Sequence, residues 1–142
     1  MEPNDDFPRR LLAAARAFGV DPAATGRHLP IMQRCVPADD PIRLLARVDR
    51  SADRACYLLL LTARRLVVTG ESLVLRRRRL HLNAEPRQLL DVLWTPEPTL
   101  GGLALAATAV DGVREHFWVR TGDPHGVAET LTEAFRMVPV PV

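Results

Sequence analysis

The stretch from Leu60 to Thr69 constrains the fold of this chain more than any other. It runs LLTARRLVVT, so an apolar run stops at a short polar break and continues as a β-branched run. Two apolar runs joined through two or three polar residues are typical of a tight β-hairpin. Further strand-like segments follow the hairpin, and a single helical pattern comes after them. The sequence therefore predicts an α+β fold that is mainly β.

The chain of 142 residues, 47% of them hydrophobic, is long enough to bury a core and divides near Pro41. Before this point the apolar residues recur at helical spacing, which predicts a first helix. A second, shorter helical segment is predicted from residue 22 to about residue 28, and an irregular connector over residues 30–40. Because forty residues are too few to enclose a core, we expect residues 1–40 to be an N-terminal helical extension that packs on a domain formed by residues 41–142.

About seven antiparallel strands are predicted in the second part. Their segments are residues 42–49, 56–62, 65–69, 72–83, 89–95, 102–110 and 113–120. We expect a turn at residues 70–71, and we expect Pro96 to end the fifth strand, since proline interrupts a strand ladder. An Asp-Gly pair at residues 111–112 is a strong signal for the last hairpin. A final amphipathic helix, with Leu131 and Phe135 on its apolar face, closes the pattern.

Three short motifs carry a resemblance to a known family. The segment LTARRLVV at residues 61–68 is similar to an LT-x-x-R-L hairpin, and LDVLW at residues 90–94 is similar to an I-x-x-V strand. A DG…FWV strand at residues 111–119 and the closing helix complete the order. In this order of elements the chain resembles the bacterial pleckstrin-homology-like (PH-like) and GRAM-like families. The resemblance implies a partly open barrel of about seven antiparallel strands, closed by one C-terminal helix.

A run of four arginines is the first candidate for a binding site. Arg76, Arg77, Arg78 and Arg79 lie in a stretch, residues 62–87, whose formal net charge is +5. Four adjacent arginines cannot all leave a packed sheet unless they stand on an edge, a bulge or a protruding hairpin. They have two interpretations: protection of an edge strand by charge, or binding of phosphates on a lipid surface or a nucleic acid. Arg64 and Arg65 would extend the patch.

The last predicted strand is the second candidate. Alternation places Arg114, His116 and Trp118 on one face of the strand and Phe117 with Val119 on the other. Arginine and tryptophan together are typical of binding hot spots. The alternative is that Trp118 packs under the N-terminal helix, whose apolar stripe needs a surface to cover.

The sequence offers little support for catalysis or for a bound cofactor. Its four histidines lack metal-ligand spacing, and it has no glycine-rich phosphate loop and no nucleophile motif. The adjacent carboxylates of Asp39 and Asp40 follow a proline-flanked connector, which predicts a solvated turn. Cys35 and Cys56 lie among apolar residues, so we expect reduced, inert thiols. No catalytic, cofactor-binding or metal-binding residue is therefore predicted.

Two functional hypotheses are favoured over a third, an enzyme, which would need a polar pocket that the sequence does not indicate. The first is a non-catalytic interaction module, a protein-protein adaptor or regulatory domain that binds an unidentified protein through a β-edge or a groove of the sheet. The second is a peripheral binder of anionic membrane or, less favoured, nucleic-acid phosphates through the arginine patch. Self-association through an uncovered edge is compatible with both. With neither a signal-peptide pattern nor a membrane-length apolar run, we expect a cytoplasmic protein, peripheral at the membrane under the second hypothesis.

Overall fold

The computed structural model describes residues 6–50, 55–72, 74 and 76–136. Its helices are α1 (Phe7–Phe18), α2 (Pro22–Cys35) and α3 (Pro124–Arg136). Its strands are β1 (Ile42–Asp49), β2 (Cys56–Thr62), β3 (Leu66–Glu71), β4 (Arg78–Ala84), β5 (Leu90–Glu97), β6 (Gly102–Thr108) and β7 (Arg114–Arg120). Two short 3-10 helices, Pro86–Gln88 and Pro98–Leu100, flank β5. The predicted α+β class, mainly β with a C-terminal helix, is confirmed.

All seven strands belong to one antiparallel sheet with the order β4-β3-β2-β1-β7-β6-β5. Strand β1 pairs with β2 along its length but with β7 only at Val48 and Asp49. This narrow junction divides the sheet into a β1–β4 half and a β5–β7 half. In the described part of the chain β4 and β5 are the free edges, so the sheet is not closed.

The larger hydrophobic core lies between the two halves of the sheet. It contains inward-facing residues of both halves together with Val127 and Leu131 of α3. The ring of Phe135 packs at its margin, where it lies 5.9 Å from the ring of Trp94. Helix α3 begins at a side-chain cap, because the Asp123 carboxylate accepts a hydrogen bond from the backbone N–H of Gly126 at 3.0 Å.

A second core lies on the opposite face of the β1–β4 half, beneath α1 and α2. Phe7 and Leu11 of α1 pack there with Met32 of α2 and with strand residues such as Leu58 and Leu60. Strand β2 is therefore covered on both faces, which explains why its sequence, CYLLLLT, is almost continuously apolar rather than alternating.

Helix α2 corrects the prediction for the connector. The helix does not end near residue 28 but continues through Pro30 to Cys35. A proline inside a helix removes the hydrogen bond to the carbonyl four residues earlier, here that of Gly26. Both Pro30 and Gly26 are exposed, so water can satisfy that carbonyl and the helix tolerates the proline.

Asp40 also differs from the sequence expectation. It is fully buried rather than part of a solvated turn. Its carboxylate accepts a hydrogen bond from the hydroxyl of Thr62 at 2.5 Å and one from the backbone N–H of Arg64 at 3.2 Å. The carboxylate thus holds the β2–β3 hairpin against the end of the helical layer.

Strand boundaries differ from the prediction at the end of β3, the start of β4 and the end of β5. Residues 70–71 are the last residues of β3 rather than a turn, and the next strand begins only at Arg78. The backbone of Arg76 has a φ of 50°, a left-handed conformation that fits a turn. Pro96 lies inside β5 instead of ending it. A proline is tolerated there because β5 is an edge strand, which has a side without a ladder.

Candidate functional site

The arginine run lies at the β4 edge of the sheet. Arg76 and Arg77 belong to the loop before β4, and Arg78 and Arg79 begin the strand. All four side chains are exposed, and none has an ion-pair partner among the residues that the structure describes. The sequence predicts that four adjacent arginines require an edge, a bulge or a protruding hairpin. Their position on an edge strand and in the loop before it agrees with this prediction.

The structure does not join this run to Arg64 and Arg65. Those two residues lie at the β2–β3 hairpin, before the start of β3, whereas Arg78 pairs with Glu71 at the end of β3. The six residues of β3 separate the two positions, roughly 20 Å at the usual rise per residue. Arg64 is also engaged locally, since its guanidinium lies 3.6 Å from the carboxylate of Asp39. The expected extension of the patch is therefore wrong.

Strand β7 alternates as predicted. Phe117 and Val119 are buried, while His116 is exposed and Trp118 is half-buried on the other face. Arg114 lies on the same outer face, where its guanidinium donates hydrogen bonds to the Asp91 carbonyl at 2.7 Å and to the Thr108 hydroxyl at 3.0 Å. Arg114 is thus fixed in place by neighbouring strands.

Trp118 is not the surface beneath the N-terminal helix. The core under α1 is built on β1, β2 and β3, through residues such as Leu45 and Leu60. The indole of Trp118 instead lies over Gly102 of β6, where a Cβ atom would collide with the ring. Helix α1 covers the strands nearest to it in sequence, and the outer face of the β5–β7 half remains exposed.

That exposed surface is called here the β5–β7 face. Its residues stand opposite one another across three paired strands and therefore share one side of the sheet. Leu90 and Leu93 of β5 are 57% and 63% exposed. Small residues of β6 lie between these leucines and the histidine and tryptophan of β7. The face consists of Leu90, Leu93, Thr95, Ala104, Ala106, Thr108, Arg114, His116 and Trp118.

A buried polar network connects α2 to β3. Nδ1 of His28 lies 2.7 Å from the hydroxyl of Thr69, and Nε2 lies 3.6 Å from the Glu71 carboxylate. Nε of Arg27 donates a hydrogen bond to the same carboxylate at 2.9 Å. Burial lowers the pKa of His28 from 6.5 to about 4; the Glu71 carboxylate opposes this change, and Arg27 and Arg78 add to it. His28 is therefore neutral at pH 7.

A second polar cluster bridges the two halves of the sheet. Nε2 of His81 on β4 lies 2.9 Å from the carboxylate of Glu115 on β7, and Arg50 lies 3.6 Å from that carboxylate. Arg50 also donates a hydrogen bond to the Tyr57 hydroxyl at 3.2 Å. The His81 ring packs edge-on against Tyr57 and Phe117. This cluster balances the buried charge of Glu115 and ties the halves together across the core.

A cavity of about 410 Å³ lies between the α1–α2 turn and the outer face of β1, β2 and β7. Three arginines from three different elements line it: Arg27, Arg47 and Arg120. Sequence reasoning missed this site, because no spacing in the chain brings α2, β1 and β7 together. The available signal for the cavity was a cationic residue at an outward position of a predicted strand, and this is a weak signal for a binding site.

The described ranges contain neither a metal-binding cluster nor a membrane-spanning helix. No three histidine, cysteine, aspartate or glutamate side chains among them come close enough to hold a metal ion. Within the same ranges, every helix is too short or too polar to cross a bilayer. Cys35 and Cys56 are free thiols.

Comparisons with known proteins do not identify a family. No protein-family model matches the chain, and no curated protein matches it. Among solved structures, the chain is similar to the C-terminal domain of an unknown protein from Leishmania infantum, with a TM-score of 0.47 and 9% sequence identity. The similarity covers 80% of this chain and 96% of that one. Membership of the PH-like families stays a prediction.

Proposed function

We propose that this protein is a non-catalytic interaction module of the cytoplasm, with the partly open barrel of a PH-like domain, that binds a partner protein through the β5–β7 face. The observation that carries the proposal is the exposure of Leu90 and Leu93 beside Trp118 on one sheet face. Apolar and aromatic side chains gathered on an exposed surface are typical of protein-binding sites.

The composition of the face favours a protein over a charged ligand. Ala104 and Ala106 leave a shallow, apolar centre, and Trp118 stands at one side of it. Arg114 lies at the end of the face with its guanidinium already hydrogen-bonded, so it is held ready for contact without further loss of side-chain freedom. An aromatic anchor and a fixed arginine around an apolar centre resemble the anatomy of a protein interface.

The β5 edge borders this face. Addition of a partner strand at this edge is less favoured than contact of a partner with the side chains of the face. The register of β5 against β6 shifts between Leu90 and Leu93, and Asp91 within that shift has a φ of 49°. Pro96 then removes one backbone donor. Bulges and prolines are devices by which proteins protect free edges from pairing. We therefore expect the partner to contact side chains of the face.

A photo-crosslinking experiment tests the proposal. A photoreactive phenylalanine analogue replaces Leu93 in one chain and Leu12, an exposed leucine of α1, in the matched control. Both chains are irradiated in the native cells, and the adducts are identified by mass spectrometry. We expect one defined adduct at position 93 that disappears when Leu90→Asp is added. The absence of an adduct, the same adducts at both positions, or an adduct with a second copy of the chain would refute the proposal.

The arginine run supports a second candidate function, binding of anionic phosphates. Arg76 to Arg79 are exposed and without an acidic partner among the described residues, and Val74 in the same loop is 90% exposed. Cationic side chains around an exposed apolar residue suit the surface of an anionic membrane. The competing interpretation is protection of the β4 edge by charge.

Co-sedimentation separates these two interpretations. Wild type is mixed with phosphatidylserine or phosphatidylcholine vesicles at low and high salt, beside a variant with all four arginines of the run changed to alanine. A control variant changes four other exposed arginines, Arg9, Arg16, Arg34 and Arg43. Binding to phosphatidylserine alone that salt and the first variant abolish, but the control retains, would support phosphate binding. The absence of binding in all conditions would favour edge protection.

A further inference from the structure

The cavity beneath the α1–α2 turn has the chemistry of a ligand site. Its lining combines an apolar wall, from Phe18, Val20 and Leu58, with three guanidinium groups. Its volume, about 410 Å³, lies within the range of small-molecule sites in proteins. It is lined by the α1–α2 turn, the first turns of α2 and strands β1, β2 and β7. Arg120 follows Trp118 by two residues on the outer face of β7, but the cavity shares no residue with the β5–β7 face, and the ligand inferred for it differs from the protein partner proposed above.

The guanidinium groups retain donors for a ligand. Arg27 and Arg120 each use Nε for a carboxylate, Glu71 at 2.9 Å and Asp49 at 2.6 Å respectively. Their terminal NH2 groups make no hydrogen bond to any residue in the described part of the chain. With the described residues, Nη2 of Arg47 makes only a weak contact, 3.9 Å from the Sγ of Cys56. Pairing through Nε fixes the two planar groups and leaves their outer ends available, which is the arrangement that recognises carboxylates and phosphates.

Cationic side chains outnumber acidic ones in the described lining of the cavity. Among the described residues, Asp21 is the one acidic residue of the lining, and its carboxylate accepts a hydrogen bond from the Ala23 backbone N–H at 3.3 Å, where it caps α2. His28, which also lines the cavity, is neutral at pH 7. The carboxylates of Glu71 and Asp49 lie outside the lining of the cavity. They pair with the Nε side of Arg27 and Arg120 respectively. Arg47 is thus the lining arginine that has no ion pair among the described residues, and all three arginines line the cavity.

The apolar wall defines the rest of the ligand. Phe18, which lines the cavity, is 44% exposed, whereas Val20 and Leu58 of the same wall are buried. An apolar body that covers the ring would remove this surface from water, which is favourable in proportion to the area covered. We propose that the cavity binds a small organic anion: a carboxylate or phosphate monoester on an apolar body, with its head group held by Arg27, Arg47 and Arg120.

The test uses three probes that share a phenyl body: 3-phenylpropionate, 2-phenylethyl phosphate and the neutral 3-phenylpropionamide. Binding to the full chain is followed by changes in amide chemical shifts in ¹H–¹⁵N spectra, which also report whether each variant is folded. We expect at least one anion to bind saturably, with shifts at residues 18–28 and 56–58, and the amide to bind about tenfold more weakly. A charge-assisted hydrogen bond contributes enough free energy for about a tenfold change in affinity.

Arg47→Gln is the decisive variant, because Arg47 is exposed and makes no ion pair with the described residues. We expect it to weaken binding of the anion about tenfold. Arg43→Gln, which removes the same charge from an exposed position on the same strand outside the cavity, should leave binding unchanged. If one anion alone binds, it identifies the head group. Failure of both anions to bind, equal binding of the amide, equal loss in both variants, or shifts confined to other residues would overturn the proposal.

Discussion

His28 should make the stability of this protein depend on pH between 4 and 6.5. The ring is almost completely buried against β3, and burial lowers its pKa from 6.5 to about 4. Between these two values the unfolded chain binds a proton at this residue and the folded chain does not. Protons therefore favour unfolding, so the free energy of unfolding rises with pH through this window and is constant, as far as His28 is concerned, above it.

The size of the effect follows from the same values. Each pKa unit corresponds to about 1.36 kcal/mol, so at pH 4 the folded protein should be about 3 kcal/mol less stable, through His28 alone, than at pH 7. In a His28→Gln variant the amide can still form a hydrogen bond with Thr69 but does not titrate. The difference in unfolding free energy between wild type and this variant should therefore change by about 3 kcal/mol between pH 7 and pH 4.

Urea denaturation at intervals from pH 4 to pH 7.5 measures this difference, with the fluorescence of Trp94 and Trp118 as the signal. His125→Gln, which changes an exposed histidine of α3, is the matched control and should follow wild type in parallel. Titration of the carboxylates is common to all three chains and cancels in the comparison. A constant difference between wild type and His28→Gln over the whole range would refute the reasoning.

Three further substitutions test the packing. Leu131→Ala should lower the free energy of unfolding by about 2–5 kcal/mol in urea denaturation, because the side chain is 1% exposed in the core beneath α3. Gly102→Ala should lower the melting temperature, because the new Cβ would lie 2.6 Å from the carbonyl oxygen of Val119 on β7 and would collide with the indole of Trp118. Gly122→Ala is the control, since open space surrounds this position, and it should not lower the melting temperature. Equal melting temperatures of the two variants would contradict this explanation. Thr62→Val should cost about 1.5–3 kcal/mol, because the buried Asp40 carboxylate loses a hydroxyl donor, and a variant as stable as wild type would show that this hydrogen bond contributes nothing.

Local patterns were sufficient to predict much of the sheet. The bounds of β1 and β2 agree with the predicted segments 42–49 and 56–62, because apolar runs bounded by polar residues leave little choice of register. The alternation along β7 was also predictable, since the side-chain period of a strand is fixed. The C-terminal helix followed from its apolar stripe.

The failures arise where distant parts of the chain decide the outcome. Pro30 has the sequence signature of a helix end, and the helix continues through it because Pro30 lies on the exposed surface of α2. Asp40 is buried because Thr62, 22 residues later, supplies a hydrogen-bond donor. The cavity depends on the order of strands in the sheet, which brings Arg120 of β7 beside Arg47 of β1. Sequence spacing alone contains no record of this neighbourhood.

The two-sided burial of β2 has a consequence for synthesis on the ribosome. Helices α1 and α2 and strands β1 to β3 are synthesised first, so the second core, beneath α1 and α2, can form once Val67 has emerged. Leu131, which completes the larger core between the two halves of the sheet, is synthesised about 60 residues later, roughly 3 to 13 s at ordinary rates of translation. During that interval the inner face of β2 remains open to water. The nascent chain therefore exposes this apolar face of β2 for seconds, and we expect ribosome-associated chaperones to bind this face rather than the N-terminal helices.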